Sequence, residues 1–284
     1  MLRKKNFRKI GILGICLFFS LVGFISLAYA SGYDFRAYSV VLTKYVDQEG
    51  LVNYNGMSAN STELNVFLIG LENISRKEYE NWAIEDKAAF WVNVYNAISI
   101  KAVCDNYPIN SSIFKFNYPS NSIRQIDGVM DEFELTVVNE KVTLDSIYNG
   151  ILRKFGDPRI HLAINAASIG HAPLPQRPFS GNKFPEELTR QTLKFLSDET
   201  KFKIDREKNV IYLSELFKEF REDFLKSYGQ TDQFSHVEEE QERALLNFIK
   251  DYVSEEDKIF LLTDQEYEID YLDFDWSLNE KPGE

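Results

Sequence analysis

The stretch from Glu85 to Asp105 constrains this chain more than any other. Phe90, Trp91, Val94, Tyr95, Ile98 and Ala102 recur at three- and four-residue steps, the spacing of one helix face. At about 100° per residue, Asn93, Asn96, Ile100 and Cys104 gather on the opposite side. A helix with large apolar groups on one face and amides on the other is expected to be buried on both, so other elements must pack around it. Buried amides require partners. Asn93 and Asn96 therefore read as hydrogen-bonded supports for neighbouring loops, the alternative being a polar floor for a ligand. Pro108 follows three residues after the helix ends.

Residues 1–30 read as a secretory signal peptide rather than as part of the fold. Arg3, Lys4, Lys5, Arg8 and Lys9 precede a continuous apolar run, Ile10 to Leu27, and Ala28-Tyr29-Ala30 supplies a small-x-small cleavage pattern. Cleavage after Ala30 would leave residues 31–284 as one exported, secreted or periplasmic domain with no membrane span. The run is long for a signal core, so an uncleaved N-terminal anchor is the competing reading. Lipidation at Cys16 is disfavoured, because Leu13-Gly14-Ile15 is a poor box and the cysteine lies inside the apolar run.

Loss of those five basic residues would shift the net charge from −12 to −17. Such a surface repels nucleic acid and anionic lipid. Cys104 is the one cysteine after position 30, which excludes an intrachain disulfide there and leaves stability to the core. Glu238, Glu239, Glu240 and Glu242 form a dense acidic run that reads as a solvated helix face.

Helical spacing also marks Tyr33 to Tyr45 and Leu64 to Leu71, with Leu51 to Tyr54 as a short extended segment. Phe133 to Val137 alternates, Asn139-Glu140 turns, and Lys141 to Thr143 returns, which predicts a hairpin. Thr143 can cap a helix from Leu144 to Phe155. Arg159 to Ala167 alternates and predicts a strand, with His161, Ala163 and Asn165 on one side of it. Gly170, Pro173, Pro175 and Pro178 predict a loop, and Pro185 opens a helix ending near Asp198. Phe202 to Ile204 and Val210 to Tyr212 bracket a second hairpin. Ser214 caps a helix through Leu225, Glu238 to Tyr252 forms another, and Tyr267, Ile269 and Tyr271 alternate. The sum is a mixed α/β (α+β) domain with a largely antiparallel sheet and packed helices.

Five blocks in order resemble the bacterial family known as domain of unknown function 547. They are Ala89-Phe90-Trp91-Val92-Asn93-Val94-Tyr95-Asn96-Ala97; Leu144-Asp145-Ser146-Ile147 with Ile151-Leu152-Arg153; Asp157 to Asn165 continuing through Ala167-Ser168-Ile169-Gly170 to Pro173-Leu174; Tyr212 to Phe217; and Asp275-Trp276-Ser277-Leu278-Asn279. The resemblance implies an exported domain related to papain-like thiol hydrolases. It also implies Glu, His, Cys and Cys at positions that here hold Tyr148, Asn149, Ala166 and His171. A thiol, an imidazole and a carboxylate in one cleft have a direct logic: the ring takes the thiol proton and the carboxylate fixes the ring. Alanine offers no nucleophile, and asparagine cannot relay protons near neutral pH.

The leading expectation is thus a non-catalytic relative that keeps the cleft for a peptide-like or small polar ligand, or for an exported partner protein. Asn149 is expected to face that cleft. His161 reads as a histidine satisfied by local hydrogen bonds, with Asn165 on its side of the chain. One alternative is a hydrolase rebuilt around Ser168 with His171 or His161. Against it, position 166 is not the glycine of a serine elbow, and Pro173 and Pro175 oppose the helix such an elbow needs. Another alternative is an envelope interaction domain using the acidic surface. Cys104 reads as a packing residue late in a helix, where the macrodipole disfavours a thiolate. His161, His171 and His236 lack metal-ligand spacing, and no phosphate-cradling loop occurs, so no metal or other cofactor is expected.

Overall fold

In the computed structural model, which describes residues 32–263 and 266–282, aromatic-rich N-terminal helices wrap the amide-faced helix. The proposed signal segment lies outside the described residues. Helices α1 (Arg36–Tyr45), α2 (Tyr54–Ala59), α3 (Thr62–Glu72) and α4 (Arg76–Glu80) lead into α5 (Ile84–Asp105). From Ala88 to Cys104 only Lys101 escapes burial, so both faces of α5 are covered. Tyr38 of α1 stacks on Phe67 of α3 at 4.7 Å, and Phe90 of α5 meets the edges of Tyr33 and Trp82 at 5.7 and 5.1 Å. Trp91 satisfies its indole N–H on the Tyr79 hydroxyl at 2.8 Å.

Strands β1 (Leu135–Val137) and β2 (Glu140–Val142) form the first hairpin. Its turn is Val138-Asn139, one residue earlier than the sequence suggests. Both turn residues have positive φ (52° and 61°), as a tight two-residue connection requires. Asparagine suits that conformation and valine does not. Val138 is held there because its side chain is buried and its N–H donates to the Leu71 carbonyl.

Helix α6 (Leu144–Gly150) starts with a full capping box between Thr143 and Ser146. It ends sooner than predicted, because Ile151 leaves helical geometry (φ −124°, ψ −61°) and a tight 3-10 turn, Leu152–Phe155, follows. The predicted strand from Arg159 to Ala167 does not form. Asp157 caps a 3-10 turn, Pro158–Leu162, with the proline at its start, and the chain then runs irregularly to Gly181. The apolar/polar alternation failed as a guide because this stretch is enclosed on all sides: Ile160 through Ser168 are all buried.

Helix α7 (Phe184–Leu196) leads to β3 (Phe202–Asp205) and β4 (Val210–Ser214), paired antiparallel as expected. The predicted helix after Ser214 is divided at Phe220 into α8 (Glu215–Glu219) and α9 (Arg221–Tyr228). Helices α10 (Glu240–Ile249) and α11 (Glu255–Leu262) follow, and β5 (Glu268–Leu272) adds to β4 in parallel, completing a three-stranded sheet. Among the described residues the fold is therefore mixed α/β with two small, mainly antiparallel sheets. Among the described residues no helix is long and apolar enough to cross a membrane.

Buried side chains form two clusters. One surrounds α5, and the other joins α7 to α10 through Phe195, Phe217, Phe224 and Phe248; Tyr148 packs against both. After β5 the chain crosses between elements distant in sequence. Ile169 and Gly170 donate to the carbonyls of Ser277 and Asp275, while Val52 donates to Asn279 and accepts from Lys281. By contrast Ile113, Phe114 and Phe116 stand 84%, 85% and 89% exposed on one short turn. Phe217→Ala should lower unfolding stability by about 3–5 kcal/mol, whereas Phe114→Ala should change it by less than about 0.5 kcal/mol. Chemical denaturation of the two variants checks this.

Candidate functional site

The site begins with the amides of α5. Asn96 accepts from the Asn165 N–H at 2.7 Å and donates to the Ala163 carbonyl at 3.2 Å. Asn93 does the same for Phe179, donating to its carbonyl at 2.8 Å and accepting from its N–H at 2.9 Å. Two side chains one helical turn apart thus clamp both ends of the irregular strip from 163 to 179. Asn165 continues the scaffold. Its Oδ1 accepts from the Ser168 N–H at 3.0 Å, and its Nδ2 donates to the carbonyls of Ser168 (3.2 Å) and Ala172 (2.8 Å). All three amides are buried, and each is engaged through both its oxygen and its nitrogen.

Within this scaffold Ala166 points a methyl into the core and is 1% exposed. Ala167 takes a left-handed conformation (φ 50°), which an alanine adopts only against steric resistance. The turn brings the Ser168 hydroxyl to 2.6 Å from Nδ1 of His171. Ser168 is completely enclosed, and the rings of Phe274 and Trp276 border His171 at 4.9 and 5.9 Å. Burial, reinforced by the Lys201 charge, pushes the His171 imidazole down to about 3. No carboxylate pairs with His171 among the described residues.

A second group lies between the two hydrophobic clusters. The Tyr148 hydroxyl is 2.6 Å from Nδ1 of His161, and Nε2 of His161 is 3.2 Å from Oδ2 of Asp223 on α9. Burial holds the Tyr148 phenol well above its ordinary value, so it stays protonated and donates. Nε2–H of His161 then donates to Asp223, which fixes the tautomer. The imidazole stacks on Phe220 with centroids 4.3 Å apart and planes 9° from parallel. Burial lowers the His161 pKa despite the nearby carboxylate. Asp223 is held far below the usual carboxylate range by the His161 hydrogen bond, then by Arg153 and Lys226 at 2.7 and 2.9 Å.

Asn149 is exposed at the solvent edge of the second group, donating to Asp145 at 2.8 Å and accepting from Arg153 at 3.1 Å. The cavity beside His161 and Asp223 holds about 70 Å³, little more than room for a water or two. Cys104 is buried, and its thiol is pushed up to about 12 by burial and then by Asp105. His236 packs edge-on against Tyr267 at 4.9 Å, away from both groups. Of the residues singled out in the sequence, the fold brings together Asn96, Asn165, Ser168 and His171, and separately Tyr148 and His161. Asp223 and Phe220 escaped notice, and Arg153 entered only within a resemblance block, not as a site residue. Arg153 is one turn beyond Asn149 on a charged surface, but Asp223 carries no local signal.

Residues 79–196 match the family described as Protein of unknown function, DUF547. That segment runs from α4 through the amide-faced helix, the first hairpin and the irregular strip to the end of α7, and it supports the resemblance read from the sequence. No curated protein and no solved structure matches the chain.

Both buried histidines have folded-state pKa values below that of an unfolded histidine. The unfolded chain therefore takes up protons first as the pH falls below about 6.5, and stability is lost from there downward. Thermal unfolding of the wild type should show this decline between about pH 6.5 and 4, above the range in which Asp223 protonates. His171→Gln should flatten the decline while retaining a polar partner for Ser168.

Proposed function

We propose that this is an exported, non-catalytic relative of a thiol hydrolase-like family that binds a peptide-like or small polar ligand, or an exported partner protein. The observation that carries the reading is Ala166, a buried methyl at the position where the resemblance calls for a nucleophilic sulfur. The neighbouring chemistry agrees. Tyr148 and Asn149 stand where Glu and His are expected; the tyrosine occupies one nitrogen of His161, and the asparagine is engaged by Asp145 and Arg153. The remaining thiol, Cys104, is buried and holds its proton, so it cannot substitute. The apolar run of residues 10–27 after a basic start supports export through a signal peptide.

A rebuilt serine hydrolase is the second reading, and the 2.6 Å contact between Ser168 and His171 favours it. Enclosure of the hydroxyl and the weak basicity of His171 oppose it. Two probes test both readings. The native protein should resist iodoacetamide and electrophilic thiol probes, and a fluorophosphonate should leave Ser168 unmodified, as read by intact-mass and peptide mass spectrometry. Alkylation-sensitive turnover of any ester, amide or peptide would reject the leading reading. Fluorophosphonate labelling that disappears in Ser168→Ala would install the second.

A further inference from the structure

We infer that a cationic groove beside α7 binds a short acidic peptide in extended form. The groove has a volume of about 760 Å³, and the loop from Leu174 to Ser180, the start of α1 and one face of α7 form its walls. Arg36, Arg177, Lys183, Arg190 and Lys194 line it, against the carboxylates of Asp34 and Glu187. This local excess of positive charge belongs to a chain with 32 basic and 44 acidic residues. Neither Arg177 nor Arg190 has an ion-pair partner among the described residues, and both are exposed. Among the described residues Lys194 is held by the Gln48 carbonyl alone, at 3.0 Å. The Glu187 carboxylate accepts the Ser180 N–H at 2.8 Å and lies near enough to Arg190 and Lys183 to feel their charge, without a close ion pair to either.

The groove is built before any ligand arrives. Asn93 fixes both backbone groups of Phe179, Gln191 donates to the Pro173 carbonyl at 2.9 Å, and Gln176 donates to the Val46 carbonyl at 2.7 Å. A wall pinned at three points loses little freedom on binding. Pro175 and Pro178 give it partly exposed apolar patches, over Leu174 and Phe179 buried beneath.

Charge and length select the occupant. Lys183, Arg190 and Lys194 follow one side of the helix over about 16 Å, at 1.5 Å per residue. A single carboxylate cannot span that distance, whereas about five residues of extended chain, at roughly 3.3 Å each, can. Alternating acidic and apolar side chains would meet the cations on one side and the prolines of the wall, Pro175 and Pro178, on the other. Long polyanions such as nucleic acid or acidic polysaccharide would overhang onto the acidic remainder of the surface and be repelled.

The inference goes beyond the catalytic reading above. Turnover by the protein would overturn that reading and leave the groove untouched, and failure of the groove would leave the catalytic question where it stands. Fluorescence anisotropy of the full chain with a fluorescein-labelled hexapeptide of alternating glutamate and leucine provides the test. Saturable binding is expected, weakened by about tenfold or more in Arg177→Glu/Arg190→Glu and by added salt. Lys77→Glu, a reversal on the exposed α4 helix, should leave it unchanged. Absence of saturable binding, equal affinity for the glutamine–leucine counterpart, or an equal loss in Lys77→Glu would overturn the proposal. Tighter binding of polygalacturonate than of the peptide would overturn the assignment of the ligand as peptide.

Discussion

The amide clamps of α5 are the interaction on which the other features of the site depend. An asparagine side chain matches a backbone peptide group in both donor and acceptor, so one Asn can replace the neighbouring strand that an irregular segment lacks. Asn96 does this at the 163–165 end of the strip and Asn93 at Phe179. Removing either would strand a buried N–H and a buried carbonyl together, each costing about 1–3 kcal/mol. This arrangement explains how the stretch from Ala163 to Ser168 can be buried without regular secondary structure. It also ties the two ends of the candidate site to one rigid helix, so Ser168 and the groove wall at Phe179 share a support.

The two hydrophobic clusters meet at a polar seam. Tyr148 packs against both, and its hydroxyl begins the chain through His161 to Asp223, where Arg153 and Lys226 complete the charge balance. Every polar atom of His161 is used, and the ring is wedged against Phe220. A connected network of this kind specifies one relative placement of the two halves more sharply than apolar contact alone, which tolerates sliding. Its partners are already satisfied by one another, which suits a structural joint better than a reaction centre awaiting substrate.

Much of this was legible in the sequence because it is written locally. The 3.6-residue period of α5, the cap at Thr143 and the alternation leading into β1 each reflect neighbours within a few positions. The amides on the second face of α5 also announced that this face would be buried. What stayed hidden depends on distance or on enclosure. Asp223 meets His161 across 62 residues, and no pattern near either one points to the other. The alternation from Arg159 to Ala167 suggested a strand, yet burial on all sides removes the inside–outside distinction on which that reading relies. Asp157-Pro158 did carry a helical-start signal, a capping carboxylate followed by a proline at the first position. At Val138 and Ala167 side-chain burial and local hydrogen bonds outweigh backbone preference, a balance that no single residue reveals.

The crossing of residues 275–281 has a consequence for how the protein is made. The backbone partners of Ile169, Gly170 and Val52 are supplied by this late segment, and Tyr54 reaches Asn279 across 225 residues. Emerging from the ribosome N-terminus first, the chain can shape α5 and its aromatic surroundings early, but the turn around Ser168 must wait until residues 275–281 have been made. Assembly of this centre is thus set by contacts of high sequence separation, which close only once both distant segments are present.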